Sequence, residues 1–196
     1  MAQNRRLVLA SSSPYRRELL ARLRVAFECA DPAVDESPRA GEAPAALAAR
    51  LAHEKARAVA KKFPDALIIG SDQVASCDGA ILDKPGTHDK AVRQLARVSG
   101  KTARFDTAVC VLDTLGGEPR IRVVPCLVAF RRLDSARIEN YLRLERPYDC
   151  AGSAKVEGLG ISLIRRIDTE DPTSLIGLPL IAVVELLGEA GLPVLA

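Results

Sequence analysis

Aromatic residues, histidine and long apolar runs are all scarce in this sequence. Aromatic side chains make up 4% of its 196 residues, and there is no Trp. A general nucleic-acid interface needs stacking aromatics on a clustered basic face, and the net charge here is only +3. No stretch approaches the roughly 20 apolar residues of a membrane span. The composition therefore predicts a protein that acts neither on nucleic acid nor in a membrane.

The cysteine pattern argues against both disulfides and zinc. The five cysteines stand far apart without a Cys-x-x-Cys pair, and only His53 and His88 could join them as metal ligands. Small buried apolar residues in a reducing compartment explain such a pattern best. The apolar run of residues 7–10 is too short for a signal peptide. We therefore predict a cytoplasmic protein.

Strand and helix patterns alternate along the first half of the chain, and a hairpin dominates its middle. The helix at 44–62 is predicted to bury an apolar face through Leu47, Leu51 and Ala58. We predict an α/β fold with a mixed sheet in a single domain spanning 1–196. The predicted strands are 5–10, 25–29, 66–70, 102–115, 121–130 and 158–167, and the predicted helices are 14–23, 44–62, 88–98, 135–145 and 180–190.

The first candidate site is the stretch Ser11-Ser12-Ser13-Pro14-Tyr15-Arg16-Arg17, where a strand ends and a helix begins. Free N–H groups and the helix dipole attract phosphate there, and Ser hydroxyls with an Arg can complete the grip. Ordinary capping by Ser13 with Pro14 at the first helical position explains part of the pattern equally well. Two arginines in a first turn are unusual and favour a bound anion. Neighbouring helical residues point about 100° apart, so only one of Arg16 and Arg17 is expected to face it.

The second candidate site is Asp72, in the run Ile68-Ile69-Gly70-Ser71-Asp72-Gln73. We interpret this carboxylate as lying at the end of a buried strand, where α/β sheets usually place ligands. It could hold a divalent metal or activate water, and a turn or capping role is the alternative.

Other charged residues are ambiguous one by one and informative together. Glu36, Lys55, Lys84 and Glu157 would each be solvated surface groups if taken alone. With Arg16 and Asp72 they form the set that hydrolysis of a pyrophosphate bond requires: cations for the phosphates, and carboxylates for Mg²⁺ or Mn²⁺ and for the attacking water. No Gly-x-x-x-x-Gly-Lys-Ser/Thr or Gly-x-Gly-x-x-Gly motif is present, which excludes P-loop chemistry and argues against a dinucleotide site.

Seven segments in order resemble the Maf family of nucleotide pyrophosphatases over nearly the whole chain, and the match is closest to the subgroup that acts on 7-methyl-GTP. These segments are LVLASSSPYRRELL, VDESP, LAHEKARAVA, IIGSDQV, LDKPGT, AGSAKVEGLGISLI and LIGLPL.

The resemblance implies two lobes around an elongated mixed sheet, with an active-site cleft between them. It implies Asp72 as the base that activates water, and Glu36 with Asp72 as ligands of a divalent metal. It also implies four residues that bind the phosphates of the nucleotide substrate: Ser11, Arg16, Lys55 and Lys84.

Three departures from the family's pyrimidine-specific pattern indicate which nucleobase the substrate carries. The usual first motif is Ser-Pro-Arg-Arg-x-Glu-Leu, and Tyr15 stands here in place of its first arginine. Sequences of the pyrimidine type resemble Arg, Thr and Gln where this chain has Tyr15, Gln73 and Glu157. A guanine methylated at N7 carries a positive charge, which suits an aromatic face and a carboxylate. We therefore expect 7-methyl-GTP to be the substrate.

Two alternatives remain open from the sequence. One is a dTTP/UTP pyrophosphatase of the same family. The other is a nucleotide-binding regulator of cell division without turnover. A pure sensor has no need of a water-activating carboxylate beside a metal, so Asp72 with Glu36 favours the enzyme. A small-molecule nucleotide is the expected partner, and a homodimer is the hypothesis for the assembly.

Overall fold

The structure is a computed structural model that describes residues 5–195. It is an α/β fold with seven strands and five α-helices. The strands are β1 (Arg6–Ala10), β2 (Glu28–Ala30), β3 (Ala66–Cys77), β4 (Ala80–Leu82), β5 (Thr102–Asp113), β6 (Arg120–Phe130) and β7 (Ile164–Thr169). The helices are α1 (Pro14–Ala21), α2 (Pro44–Ala60), α3 (His88–Val98), α4 (Ser135–Glu145) and α5 (Leu180–Glu189).

The strands form one mixed sheet, as predicted. Its order is β2-β1-β3-β5-β6-β7, and β4 pairs with β3 beside this path. β1 is parallel to β2 and to β3, whereas β4 is antiparallel to β3 and β7 is antiparallel to β6. None of the helices within residues 5–195 is long and apolar enough to cross a membrane.

The chain forms two compact units. The first contains the described residues up to Asp72, Thr107–Val124 and the chain from Asp171 onward, and the second contains Gln73–Asp106 and Pro125–Glu170. The expectation of a single domain over 1–196 stays a prediction, as does a cleft between lobes.

The core of the first unit explains why α1 and α5 form where they do. Each helix buries an apolar stripe against leucine and isoleucine side chains of β1 and β3, and α5 contributes Val183, Leu186 and Leu187 with no exposed surface. Ser13 caps α1 with its hydroxyl accepting from the Arg16 amide, and Pro14 occupies the first turn, as the sequence predicted.

The second unit contains the hairpin between β3 and β4. Asp78 and Gly79, with φ of 50° and 74°, turn the chain as the Asp-Gly pair predicts. Gly152 also has a positive φ, and a Cβ there would meet the Phe105 ring at 3.4 Å and a Leu82 methyl at 3.6 Å. These are ordinary van der Waals distances, so it is the positive φ that favours glycine at this position.

Four details of the predicted elements were wrong. β3 does not end at Gly70 but runs on to Cys77. The buried face of α2 passes through Lys55, while Ala58 is only half-buried. The predicted strand 158–167 begins with a 3₁₀ helix at Leu159–Leu163 and becomes a strand only at Ile164. The predicted strand 25–29 is the three-residue β2.

All five cysteines are unpaired thiols, but they are not all buried. Cys77, Cys110 and Cys126 are buried, whereas Cys29 is exposed and Cys150 is half-buried. Burial raises the pKa of the Cys110 thiol to about 12 and that of Cys126 to about 11. The description as small apolar core residues therefore holds for three of the five.

Candidate active site

Asp72 lies inside β3, not at its end, but it does lie at the carboxyl edge of the parallel part of the sheet. The register pairs Ala10, the last residue of β1, with Gly70 of β3. Ser71 and Asp72 therefore continue past the end of β1, where Ser11 begins the turn into α1. This edge is where α/β sheets usually bind ligands, and the functional role of Asp72 there stays a prediction.

Gly70 lets helix α2 come unusually close to β3. A Cβ built at Gly70 would lie 2.0 Å from the Ala52 carbonyl oxygen and 2.8 Å from the Ala56 nitrogen. Only glycine permits backbone contact of this kind. The close approach brings Lys55, which stands between those two residues on α2, to the strand that carries Asp72.

Lys55 is the centre of a buried charge cluster. Its Nζ lies 2.6 Å from Asp72 Oδ1 and 2.5 Å from Glu36 Oε1. The side chains of Lys55 and Asp72 are 5% and 9% exposed, whereas Glu36 comes from the loop before α2 and is 57% exposed. A buried carboxylate needs a paired cation, because an isolated charge is costly to remove from water. The cluster is therefore closed on the protein side and open to solvent at Glu36.

The donor set of this cluster fits a hard divalent cation. Glu36 and Asp72 each direct a carboxylate oxygen to the same ammonium group. Mg²⁺ and Mn²⁺ bind such oxygens, and Mg²⁺ usually takes one or two protein carboxylates and keeps several waters or phosphate oxygens. Within residues 5–195 no three His, Cys, Asp or Glu side chains group closely enough to hold a metal by themselves.

Arg16, not Arg17, is the arginine that turns toward the cluster. Its Nε donates to the Gly177 carbonyl at 2.8 Å. Burial lowers the pKa of the guanidinium, and the nearby carboxylates of Asp72 and Glu36 oppose that shift. Arg17 is exposed. Arg16 is therefore the arginine of the pair that faces the carboxylates, and its binding of phosphate stays a prediction.

A small cavity of about 220 Å³ opens at the N-terminus of α1. Ser11 is buried there, and its Oγ accepts from the Ser13 amide at 3.1 Å. The first turn of α1 carries no acidic residue, and the positive end of a helix dipole favours anions in general. The lining residues are Ser11, Ser12, Ser13, Pro14, Arg17, Cys29, Ala30 and Asp31.

The predicted site residues divide between the two units. In the first unit Glu36, Lys55 and Asp72 form one cluster with Arg16 within electrostatic reach, Ser11 lies in the α1 cavity, and Tyr15 is half-buried on α1. The second unit holds Gln73 in β3, Lys84 in the loop before α3, and Glu157 in the turn before the 3₁₀ helix at Leu159–Leu163. Lys84 and Glu157 are exposed and Gln73 is half-buried. The roles of these three residues stay predictions.

Sequence reasoning missed the backbone that supports the cluster. The Gly177 carbonyl and the close approach at Gly70 are both backbone features at a glycine, so no functional side chain marks either of them in the sequence. The one available signal was the glycine in each of the segments IIGSDQV and LIGLPL.

Comparison with known proteins identifies the family of this chain. The family model described as "Maf-like protein" matches residues 6–190. The chain belongs to the Maf family. The resemblance carried by the seven segments is thereby confirmed.

Several known proteins are similar to this chain over nearly their whole length. A protein of Cupriavidus pinatubonensis named "7-methyl-GTP pyrophosphatase" is 55% identical over 97% of this chain and 96% of its own. Proteins with the same name from Cupriavidus metallidurans and Pseudomonas aeruginosa are 56% and 53% identical, over 95% and 96% of this chain and 94% and 98% of their own.

Among solved structures, a nucleoside-triphosphatase / dITP/XTP pyrophosphatase from Mycobacterium abscessus matches with a TM-score of 0.41 and 16% identity, over 65% of this chain and 74% of that one. A likeness this low adds nothing to the argument.

Replacing Arg16 with Ala is expected to weaken binding of a nucleoside triphosphate about tenfold or more and to leave binding of the bare nucleoside unchanged. A hydrogen bond to a charged group contributes about 1.5–3 kcal/mol, and the guanidinium matches two phosphate oxygens at once. Calorimetry with both ligands measures the difference. Arg17→Ala is the comparison variant, and its exposed charge should matter less because solvent screens it. A larger loss for Arg17→Ala would show that the wrong arginine has been assigned.

Proposed function

We propose that this protein hydrolyses 7-methyl-GTP to 7-methyl-GMP and pyrophosphate, removing a modified nucleotide. The observation that carries the proposal is the buried pair of Asp72 and Lys55, with Glu36 and Arg16 beside it, in a chain of the Maf family. The name shared by relatives at 53–56% identity supports the choice of substrate. The cytoplasmic location, the single domain over 1–196 and the homodimer predicted from the sequence belong to this proposal.

Asp72 is proposed as the base. It lies in β3 just past the end of β1 and is nearly excluded from solvent, and one of its oxygens is held by Lys55 Nζ at 2.6 Å. A carboxylate fixed in this way can orient a water molecule and accept its proton as the oxygen attacks phosphorus. Proton transfer to a positioned side chain typically contributes about 10²–10⁴-fold in rate.

The cations are proposed to bind the phosphates. Lys55 and Arg16 come from different helices; Lys55 contacts Asp72 directly, and Arg16 lies within electrostatic reach of it. Their positive charges counter the charge that builds up on the leaving pyrophosphate, and Ser11 adds a hydroxyl at the α1 cavity. Lys84, in the second unit, completes the proposed set of phosphate ligands.

Glu36 and Asp72 would hold the divalent metal. When bound there, Mg²⁺ or Mn²⁺ supplies charge neutralisation for the phosphate oxygens. The protein's own contribution is to hold the two carboxylates close together, each in contact with the Lys55 ammonium group.

The base is proposed to be recognised by Tyr15, Gln73 and Glu157. Tyr15 can stack on the methylated guanine with cation–π character, which contributes about 0.5–2 kcal/mol. The Glu157 carboxylate can accept from the N1–H and the exocyclic amine, and its charge complements the methylated ring. The Gln73 amide follows Asp72 directly in β3 and can help to position the nucleotide.

A nucleotide panel tests the proposal. We expect pyrophosphate release to be faster with 7-methyl-GTP than with GTP, dTTP or UTP, because only the methylated base carries a positive charge for Tyr15 and Glu157.

The triple variant Tyr15→Arg, Gln73→Thr, Glu157→Gln should move activity toward dTTP and UTP. Equal efficiency of the wild type with dTTP would contradict the base assignment and favour the pyrimidine alternative. Nucleotide binding without any pyrophosphate release would favour the regulator.

Chelation should stop the reaction. With EDTA in excess we expect pyrophosphate release to fall to background and to recover when Mg²⁺ or Mn²⁺ is added. The reason is that Arg16, Lys55 and Lys84 alone leave part of the triphosphate charge uncompensated. Circular dichroism with and without EDTA is the control, since the fold should not depend on the metal. Activity that survives thorough chelation would show that the protein's cations suffice.

A further inference from the structure

The carbonyl oxygen of Gly177 joins two parts of the first unit that the reaction needs. It accepts from Arg16 Nε at 2.8 Å, and the Ser71 hydroxyl lies 3.0 Å from the same oxygen. Ser71 immediately precedes Asp72 in β3, and its hydroxyl is also 2.8 Å from the Ala108 carbonyl. One backbone oxygen therefore ties the arginine on α1 to the strand that carries the proposed base.

The direction of this carbonyl is set by the segment 171–181 (the Gly177 loop). Asp171 begins it: its Oδ1 accepts from the Thr173 hydroxyl at 2.6 Å and from the Thr173 amide at 3.0 Å. Its Oδ2 accepts from the Ile181 amide at 2.7 Å, and the Thr173 hydroxyl accepts from the Leu180 amide at 2.8 Å. The side chains of Asp171 and Thr173 thus join the two ends of the loop by hydrogen bonds.

A second set of bonds holds the middle of the loop. The Thr107 hydroxyl of β5 donates to the Ser174 carbonyl at 2.9 Å, and the Ser174 hydroxyl donates to the Asp171 carbonyl at 2.7 Å. Thr107, Asp171 and Ser174 are all buried. Gly177 itself has φ +121°, a backbone conformation that other residues rarely adopt. A loop held this way presents its carbonyl in one direction.

The bond to Gly177 has a direct consequence for Arg16. A guanidinium is planar, so a hydrogen bond at Nε sets the plane of the whole group. Within the part of the chain that the structure describes, the Arg16 side chain donates its one hydrogen bond from Nε, so the four N–H donors of its two Nη atoms remain for a ligand. Without the carbonyl the side chain would sample other rotamers, and part of the binding free energy would be spent on ordering it.

We infer that the Gly177 loop positions Arg16 for the phosphates, and that Thr173 is a positioning residue of the reaction although it lies outside the charge cluster. This inference rests on the proposed phosphate-binding role of Arg16. If the inference is correct, changes in the loop alter the affinity for phosphate. A loop that only stabilised the fold would not have this effect.

Paired valine and serine variants of Thr173 test it. Thr173→Val keeps the shape but removes the hydroxyl, and we expect pyrophosphate to bind about fivefold to tenfold more weakly while 7-methylguanosine binds as before. Thr173→Ser, which keeps the hydroxyl, should restore the affinity. The matched control is Thr114→Val, because the Thr114 hydroxyl makes two comparable bonds to the Ala66 backbone in the same unit. It should lower the melting temperature without changing pyrophosphate binding.

A double-mutant cycle separates positioning from packing. In an Arg16→Ala background, Thr173→Val should change the pyrophosphate dissociation constant less than about twofold, since the group to be positioned is gone. The same loss with and without Arg16 would overturn the inference, as would wild-type affinity in Thr173→Val.

If Thr173→Val does not fold, the Arg16→Lys variant tests the inference instead, because lysine keeps the charge and lacks the Nε donor. Wild-type pyrophosphate affinity in Arg16→Lys overturns the inference, and a loss close to that of Arg16→Ala supports it. A protein that shows the coupling but releases no pyrophosphate from any nucleotide would overturn the proposed function alone.

Discussion

Replacing Asp72 with Asn is expected to lower pyrophosphate release by about 10³-fold or more and to leave the fold intact. The amide has the same size and still offers an oxygen to Lys55, whose Nζ is 2.6 Å from Oδ1 in the wild type. It cannot take up a proton, and it is a poorer ligand for a hard cation. Turnover and melting temperature, measured on the same preparation, separate the chemical effect from a structural one.

The matched control for this variant is Asp113→Asn. Asp113 is a partly buried carboxylate of the same unit, and Arg5 binds it through two hydrogen bonds of 2.6 Å. That hydrogen bonding holds the pKa of Asp113 below its ordinary value. The variant should therefore cost stability above the pKa of the unfolded carboxyl, with turnover unchanged. Normal turnover in Asp72→Asn, or an equal loss in Asp113→Asn, would remove Asp72 from the chemistry.

Replacing Gly70 with Ala is expected to lower the free energy of unfolding by about 3 kcal/mol, the upper end of ordinary overpacking costs. The new methyl group would lie 2.0 Å from the Ala52 carbonyl oxygen, and a backbone atom cannot move aside as a side chain can. Helix α2 must shift as a body, and Lys55 shifts with it. For a chain of this size the expected fall in melting temperature is about 6–12 °C, accompanied by a loss of turnover.

Gly188→Ala is the matched control for Gly70→Ala. Gly188 lies in α5, and a Cβ there meets nothing within 4 Å. Because Ala is favoured over Gly in a helix by about 1 kcal/mol, this variant should melt at the same or a higher temperature. A Gly70→Ala protein with wild-type stability and turnover would show that the contact between α2 and β3 is not what places Lys55.

Local signals in the sequence were enough to predict most of the elements. Ser13 with Pro14 marks the start of α1, and Asp78-Gly79 marks the hairpin, because each depends on the backbone preferences of neighbouring residues. The sequence also singled out Asp72 as a candidate, and its role stays a prediction. The seven segments that resemble the Maf family supplied the remaining site residues, and the family is confirmed.

Features that depend on distant contacts were predicted less well. The stretch 158–167 has strand-like composition, yet its first half is a 3₁₀ helix fastened to α4, with the Leu159 amide bonded to Glu145. Ala58 has an apolar side chain, but the buried face of α2 is set by where β3 lies and passes through Lys55 instead. Composition cannot supply these contacts, because each involves residues far apart in the chain.

The sequence by itself determined the residue types of the site, since their chemistry is local: cations for phosphates, carboxylates for a metal and for water. Only the tertiary structure decided that Arg16 faces the carboxylates while Arg17 faces solvent. The reason is that a helix pattern fixes the angle between neighbouring side chains but not the rotation of the helix against its neighbours. That rotation is set by the leucines that α1 buries and by a carbonyl 161 residues further along the chain, at Gly177.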